Sequence, residues 1–167
     1  MKRNFAIGID PGATGALSIF EQCPIDGEWY LKAVLDYSNE EIIPVIREIA
    51  LLHNFSSAVI ELVHSAPGQG VSSTFKFGAN FGWWLGVLDA FFISYILVTP
   101  QKWQGTLFKH YRTPTGGLKG TTKEISLKVA KELFSRDDDS TGWFDRKKDH
   151  GRADAALIGW YGIQQLQ

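Results

Sequence analysis

Near its start the chain carries an apolar run, Phe5 to Asp10 (FAIGID), that ends on a carboxylate, and after Pro11-Gly12 a second run follows, Thr14 to Phe20 (TGALSIF). Two β-rich runs on either side of a Pro-Gly turn predict a hairpin. A third strand is predicted over Trp29 to Asp36, behind the Asp26-Gly27 turn. The period then changes. Ile42, Ile43, Val45, Ile46, Ile49, Ala50 and Leu52 recur at helical spacing, Ser38 and Glu41 are placed as a capping box, and Pro44 is early enough to be tolerated. This helix should run to about His53. Ser57 to Leu62 (SAVIEL) then reads as a buried strand, reached by a parallel crossover.

A glycine-containing loop is expected from Val63 to about Ser72, a helix rich in Phe, Trp and Gly from Phe75 to Phe92, and a fifth strand from Ser94 to Thr99, ended by Pro100. Beyond it, Thr113-Pro114-Thr115-Gly116-Gly117 cannot continue a helix and is expected to be mobile. Thr121 or Thr122 should cap a helix carrying Ile125, Val129, Leu133 and Phe134. Asp137-Asp138-Asp139 and Gly142 make a further loop, and a last helix begins near Asp149 to Gly151, with Ala153, Ala156, Leu157 and Trp160 at helical spacing. The order β-β-β-α-β-α-β-α-α describes an α/β fold, a five-stranded mixed sheet flanked by helices, without internal repeat. At 167 residues this is expected to be one domain over 1–167.

Composition narrows the setting. The apolar stretch from Phe81 to Leu97 is too often interrupted to span a membrane, and no secretory signal is expected. A single cysteine, Cys23, excludes an intrachain disulfide and a Cys-based metal site, which suits a reducing, cytoplasmic compartment. The net charge of -1 conceals an asymmetry: residues 100–136 hold eight Lys or Arg against two acids, so the rest of the chain is acidic. A basic stretch (Lys102, Lys109, Arg112, Lys119, Lys123, Lys128, Lys131, Arg136) beside scattered carboxylates is what a metal-dependent phosphodiesterase needs. One surface holds polyanion while carboxylates hold cations.

The carboxylates themselves stand in informative places. Asp10 ends a strand beside a Pro-Gly turn, where backbone can approach a phosphate. Glu61 interrupts the apolar run Ala58-Val59-Ile60 and Leu62, where a charge is costly unless paired or metal-bound. His150 and Asp154, four apart, share one face of the last helix, whereas Asp149 points aside. Asp10, Glu61, His150 and Asp154 together could hold two divalent ions, Mg²⁺ or Mn²⁺, which in two-metal sites sit about 3.5 to 4 Å apart. No Ser, Cys or Tyr nucleophile with an adjacent base is evident, so the expected chemistry is hydrolysis by a metal-activated water, leaving a 5′-phosphate and a 3′-hydroxyl. Taken singly, Asp10 could begin a turn, Glu61 could pair with Arg47 or a lysine, and Asp149 or His150 could cap a helix.

Four ordered blocks, Phe5-Ala6-Ile7-Gly8-Ile9-Asp10-Pro11-Gly12, Val59-Ile60-Glu61, Val98-Thr99-Pro100 and His150-Gly151-Arg152-Ala153-Asp154-Ala155-Ala156-Leu157, resemble those of the RuvC-type Holliday junction resolvases. The resemblance spans nearly the whole chain and implies a ribonuclease H-like fold and a crossover junction endodeoxyribonuclease. It matches Asp10, Glu61 and Asp154 to acidic metal ligands and Lys123 to an active-site lysine. His150 stands one position from the family's remaining ligand, which keeps Asp149 as an alternative. Trp103-Gln104 stand where many members carry a lysine, and Ser65 to Gly70 form an insertion in a region that resolvases use to enter the junction. In that region Phe75, Lys76 and His64 are candidate DNA contacts, the aromatic rings by stacking. The compact size and the departures suit a phage-encoded member acting in a bacterial host cytoplasm.

Two other functions compete. The turn Asp10-Pro11-Gly12-Ala13-Thr14-Gly15 also resembles the phosphate-binding hairpin of the actin and sugar-kinase superfamily, whose members normally need two such folds. An inert DNA-binding module is the other. The expected partners are branched DNA, a four-way junction above all, and a second copy of the chain. Phe75, Phe77, Phe81, Trp83, Trp84, Phe91 and Phe92 are too many for one core-facing stripe, and Gly78, Gly82 and Gly86 recur on one helix face, so a two-fold homodimer is expected there.

Overall fold

Continuous apolar runs, buried on both faces in β1 and β2, form the first three strands, β1 (Asn4–Asp10), β2 (Ala16–Gln22) and β3 (Trp29–Asp36), in an antiparallel meander. A computed structural model describes residues 2–62, 70–135 and 142–166. After the meander come α1 (Ile42–Leu52), β4 (Asn54–Glu61), α2 (Val71–Ala90), β5 (Ile96–Val98), α3 (Pro100–Leu107), α4 (Thr122–Phe134) and α5 (His150–Gln164). Both β4 and β5 run parallel to β1, giving the sheet order β3-β2-β1-β4-β5. The expected α/β class and five-stranded mixed sheet are therefore present in a single domain.

Strand alternation sorts the core into two sides. Ala6, Phe20, Leu31 and Val59 pack with Trp103 of α3, Ile125 and Val129 of α4, and the Ala and Leu residues of α5. Ile7, Ile9, Leu17 and Ile60 pack instead with Ile42, Ile46 and Ile49 of α1 and with Trp84, Val87 and Leu88 of α2. The result is a sheet between two helical layers. Among the described residues no helix is long and apolar enough to cross a membrane.

Several boundaries differ from expectation, each for a local reason. Pro100 does not merely end β5 but occupies the first turn of α3, where its missing N–H costs nothing. The Ser38–Glu41 box is replaced by a turn in which the Glu41 N–H donates to the Asn39 side-chain oxygen at 2.8 Å, so α1 starts at Ile42. On α4 the box is present, with Thr121 and Glu124 capping each other. α2 begins at Val71, four residues before Phe75. The Thr113–Gly117 segment, expected to be mobile, is tied as a turn: the Thr113 N–H donates to the Gly117 carbonyl at 2.8 Å, and Arg112 bridges Leu118.

Candidate active site

The parallel register of β1 and β4 pairs Ile9 with Ile60, so the next residues on each strand, Asp10 and Glu61, stand side by side at the carboxyl end of the sheet. Because Ile9 and Ile60 face α1 and α2, alternation turns both acids to the opposite side, under α5. The Gly12 N–H donates to Asp10 Oδ1 at 2.9 Å and holds the carboxylate against the turn.

α5 reaches this edge because small residues let it lie directly on the sheet. Gly151 abuts the Thr14 carbonyl, and Gly159 abuts the backbone of Gly8. Between them Ser18 accepts from the Gly8 N–H at 3.2 Å and donates to the Ala155 carbonyl at 2.8 Å, tying helix to sheet through a buried hydroxyl. Asp154 is carried in beside Asp10 and Glu61. Among the described residues its Oδ1 is buried without a hydrogen-bond partner, and so is Ser126 Oγ on α4.

The electrostatics record three carboxylates in one another's field. Burial pushes Asp10 up to about 6, with the Gly12 N–H working against it. Burial and then the Asp10 charge push Glu61 up to about 7, opposed by the Trp103 indole. For Asp154 the same two causes, with a smaller contribution from Glu61, raise the value to about 8. Ser126 and then Lys123 pull it the other way. Buried, mutually repelling carboxylates of this kind mark functional clefts more often than ordinary surface.

The remaining candidates separate cleanly. Lys123, exposed in the first turn of α4, acts on both Asp154 and His150. His150 begins α5 half-buried, and burial, then the Lys123 charge, lower its pKa. Asp149 is elsewhere committed: it is 2% exposed, and Arg146 donates to its Oδ1 from Nη2 at 2.7 Å and from Nε at 3.0 Å, while the Arg146 backbone N–H meets Oδ2 at 2.9 Å. Burial works against this ion pair, yet the guanidinium holds the carboxyl below its usual range. Lys102 on α3, Lys109, Arg112 and Lys119 are exposed on the segment between β5 and α4, as is Phe75, 76% exposed, with Lys76 on α2. His64 and all of the Ser65–Gly70 insertion but Gly70 lie outside the described residues.

Sequence reasoning missed one side chain. The Trp103 indole N–H donates to Glu61 Oε1 at 2.8 Å. The only signal was a tryptophan in a short helix whose burial would demand an acceptor for its N–H.

Among the described residues no group of three or more His, Cys, Asp or Glu side chains is arranged to hold a metal ion as it stands. The donors nonetheless fit one in kind: carboxylate oxygens suit Mg²⁺ or Mn²⁺, and the buried, unpartnered Oδ1 of Asp154 lacks the positive partner that such an atom requires.

This sheet order, with its antiparallel meander, parallel β4 and β5, and α5 across the middle, is the ribonuclease H-like fold. Among solved structures the chain is similar to Thermus thermophilus RuvC in complex with a Holliday junction substrate, at 14% identity over 94% of this chain and 90% of that one, with a TM-score of 0.55. It is similar also to the yeast mitochondrial Holliday junction resolvase (13% identity, 99% and 80% covered, TM-score 0.55) and to the fowlpox virus Holliday junction resolvase (12% identity, 99% and 99% covered, TM-score 0.50). At these identities the likeness is one of fold. Compared by sequence, the chain matches no family model and no curated protein.

Proposed function

We propose that the chain is a RuvC-like nuclease domain over its whole length, a divalent-metal-dependent endodeoxyribonuclease that cleaves Holliday junctions or other branched DNA. The observation that carries this reading is the convergence of Asp10, Glu61 and Asp154 from three distant stretches of sequence, each with a raised pKa and one with a buried, unpartnered oxygen. The resemblance of the fold to three junction resolvases supports it.

In this reading Asp10, Glu61 and Asp154, with His150 rather than the Arg146-bound Asp149, hold the ions. Two bound Mg²⁺ or Mn²⁺ ions supply an activated water and neutralise charge at the phosphodiester. Lys123 sits where its ammonium can add positive charge beside Asp154. Lys102, Lys109, Arg112 and Lys119 bind phosphates, and Phe75 and Lys76 extend the contact along α2. Among the described residues, Gly78, Gly82 and Gly86 would meet nothing within 4 Å if given a Cβ, so they do not serve to pack α2 on its own sheet. That open face supports a two-fold homodimer, whose two sites would match the symmetry of a four-way junction. A cytoplasmic setting, in a bacterial host if the chain is phage-encoded, belongs to the same reading.

The test is incubation with labelled four-way junction, Y-structure and linear duplex in Mg²⁺, Mn²⁺ or EDTA. Branched substrates should be cut only with a divalent ion. Asp10→Asn, Glu61→Gln and Asp154→Asn should each bind the junction without cutting it, and cleavage retained in any two of them would end the assignment. ATP binding in place of cleavage would favour the phosphotransferase reading.

A further inference from the structure

Trp103 has no exposed surface, and its ring meets Phe108 edge-on, with centroids 5.4 Å apart and planes at 79°. An indole carries one polar atom, a donor, and a buried indole gains from an acceptor within reach. That acceptor is Oε1 of Glu61, 2.8 Å from Nε1. The ring is fixed by the core, and the carboxylate is therefore fixed by the ring.

We propose that Trp103 is the positioning residue for Glu61, its indole N–H setting the orientation in which this carboxylate meets a divalent cation. The role rests on reading Asp10, Glu61 and Asp154 as cation ligands. A carboxylate has about four lone-pair positions, so one indole bond orients the group and leaves capacity for an ion. The donor is also neutral. A lysine or arginine in its place would pair with Glu61 and remove one unit of negative charge from the cluster, whereas the indole orients the carboxylate and leaves the charge for cations. Groups that orient a ligand from behind in this way typically change metal affinity by about 10- to 100-fold when removed.

The experiment measures Mn²⁺ binding to the full chain, from the loss of the free-ion electron paramagnetic resonance signal, for wild type, Trp103→Phe and Phe108→Leu. Trp103→Phe keeps the ring bulk and loses the donor, and should weaken Mn²⁺ binding by about 10-fold or more with unchanged circular dichroism. Phe108→Leu loosens the ring contact and keeps the donor. It should lower the Tm while leaving Mn²⁺ affinity within about twofold of wild type. Wild-type affinity in Trp103→Phe overturns the positioning role, as does equal weakening in Phe108→Leu. Absence of Mn²⁺ binding by wild type overturns the cation reading itself, and the positioning role falls with it. Should Trp103→Phe fail to fold, NMR decides: Glu61→Gln should move one buried indole N–H resonance, and spectra with no such change overturn the proposal.

Discussion

Gly8 on β1 and Gly159 on α5 meet backbone to backbone. A methyl group on Gly8 would overlap the Gly159 amide nitrogen, and one on Gly159 would fall 2.8 Å from both the Phe20 ring and the Ser18 hydroxyl. The contact also sets the spacing of the carboxylates, because Asp10 lies two residues after Gly8 and Asp154 five before Gly159. Any separation of helix from strand separates the carboxylates.

Gly8→Ala should accordingly lower stability by about 3 kcal/mol or more, since backbone cannot yield as a side-chain tip can. Gly159→Ala should cost about 1 to 3 kcal/mol, because a phenyl ring and a hydroxyl can shift. Urea melts of the two variants check the order, and a Gly8→Ala protein as stable as wild type would contradict the close packing.

How much of this was legible in the sequence depends on the range of the interaction. Asp10 and Glu61 were readable because a charge closing an apolar strand is a local anomaly, and Asp154 because helical spacing is local too. The commitment of Asp149 to Arg146 is only three residues long, yet spacing alone could not separate it from a ligand role for the neighbouring His150. Trp103 was beyond reach, since its acceptor lies 42 residues earlier and only the β4–β5 pairing brings the two together. α3 is hidden in the sequence because Pro100 reads as a stop, when a proline after an extended residue equally begins a helix.

Asp154 gives a prediction about pH. In the metal-free protein the folded carboxyls of Asp10, Glu61 and Asp154 bind protons more tightly than unfolded ones, which titrate near 4. Their contribution is complete below about pH 4, is lost progressively above it and is gone once pH passes the folded values of about 6 to 8, so in EDTA the Tm should fall between about pH 4 and pH 8. Asp154→Asn removes the largest of these burdens and should stabilise the metal-free protein at pH 8 by about 1 to 3 kcal/mol, while abolishing most of the gain from Mg²⁺. Equal melting of wild type and variant in EDTA at pH 8 would count against the buried carboxylate cluster.

Lys123 separates transition-state stabilisation from DNA binding. Its ammonium acts on Asp154 from the rim of the site. If that charge serves the developing charge on phosphate, Lys123→Ala should slow single-turnover cleavage on the order of 100-fold while changing junction affinity by less than about threefold. A purely electrostatic contact gives the reverse: weaker binding, a salt slope smaller by about one, and an unchanged rate at saturation.

The open glycine face of α2 separates folding from assembly. Because a Cβ at Gly82 meets nothing within 4 Å among the described residues of one protomer, Gly82→Leu should leave the monomer fold intact and add up to about 1 kcal/mol of helix stability. A second copy approaching along Gly78, Gly82 and Gly86 would collide with the same leucine. Sedimentation velocity at micromolar concentration should therefore show a wild-type dimer and a monomeric variant, and on a four-way junction the variant should leave single nicks where wild type makes paired ones. A dimer that survives Gly82→Leu places the interface elsewhere. A wild type that is monomeric with and without junction DNA removes the dimer and leaves a nicking enzyme.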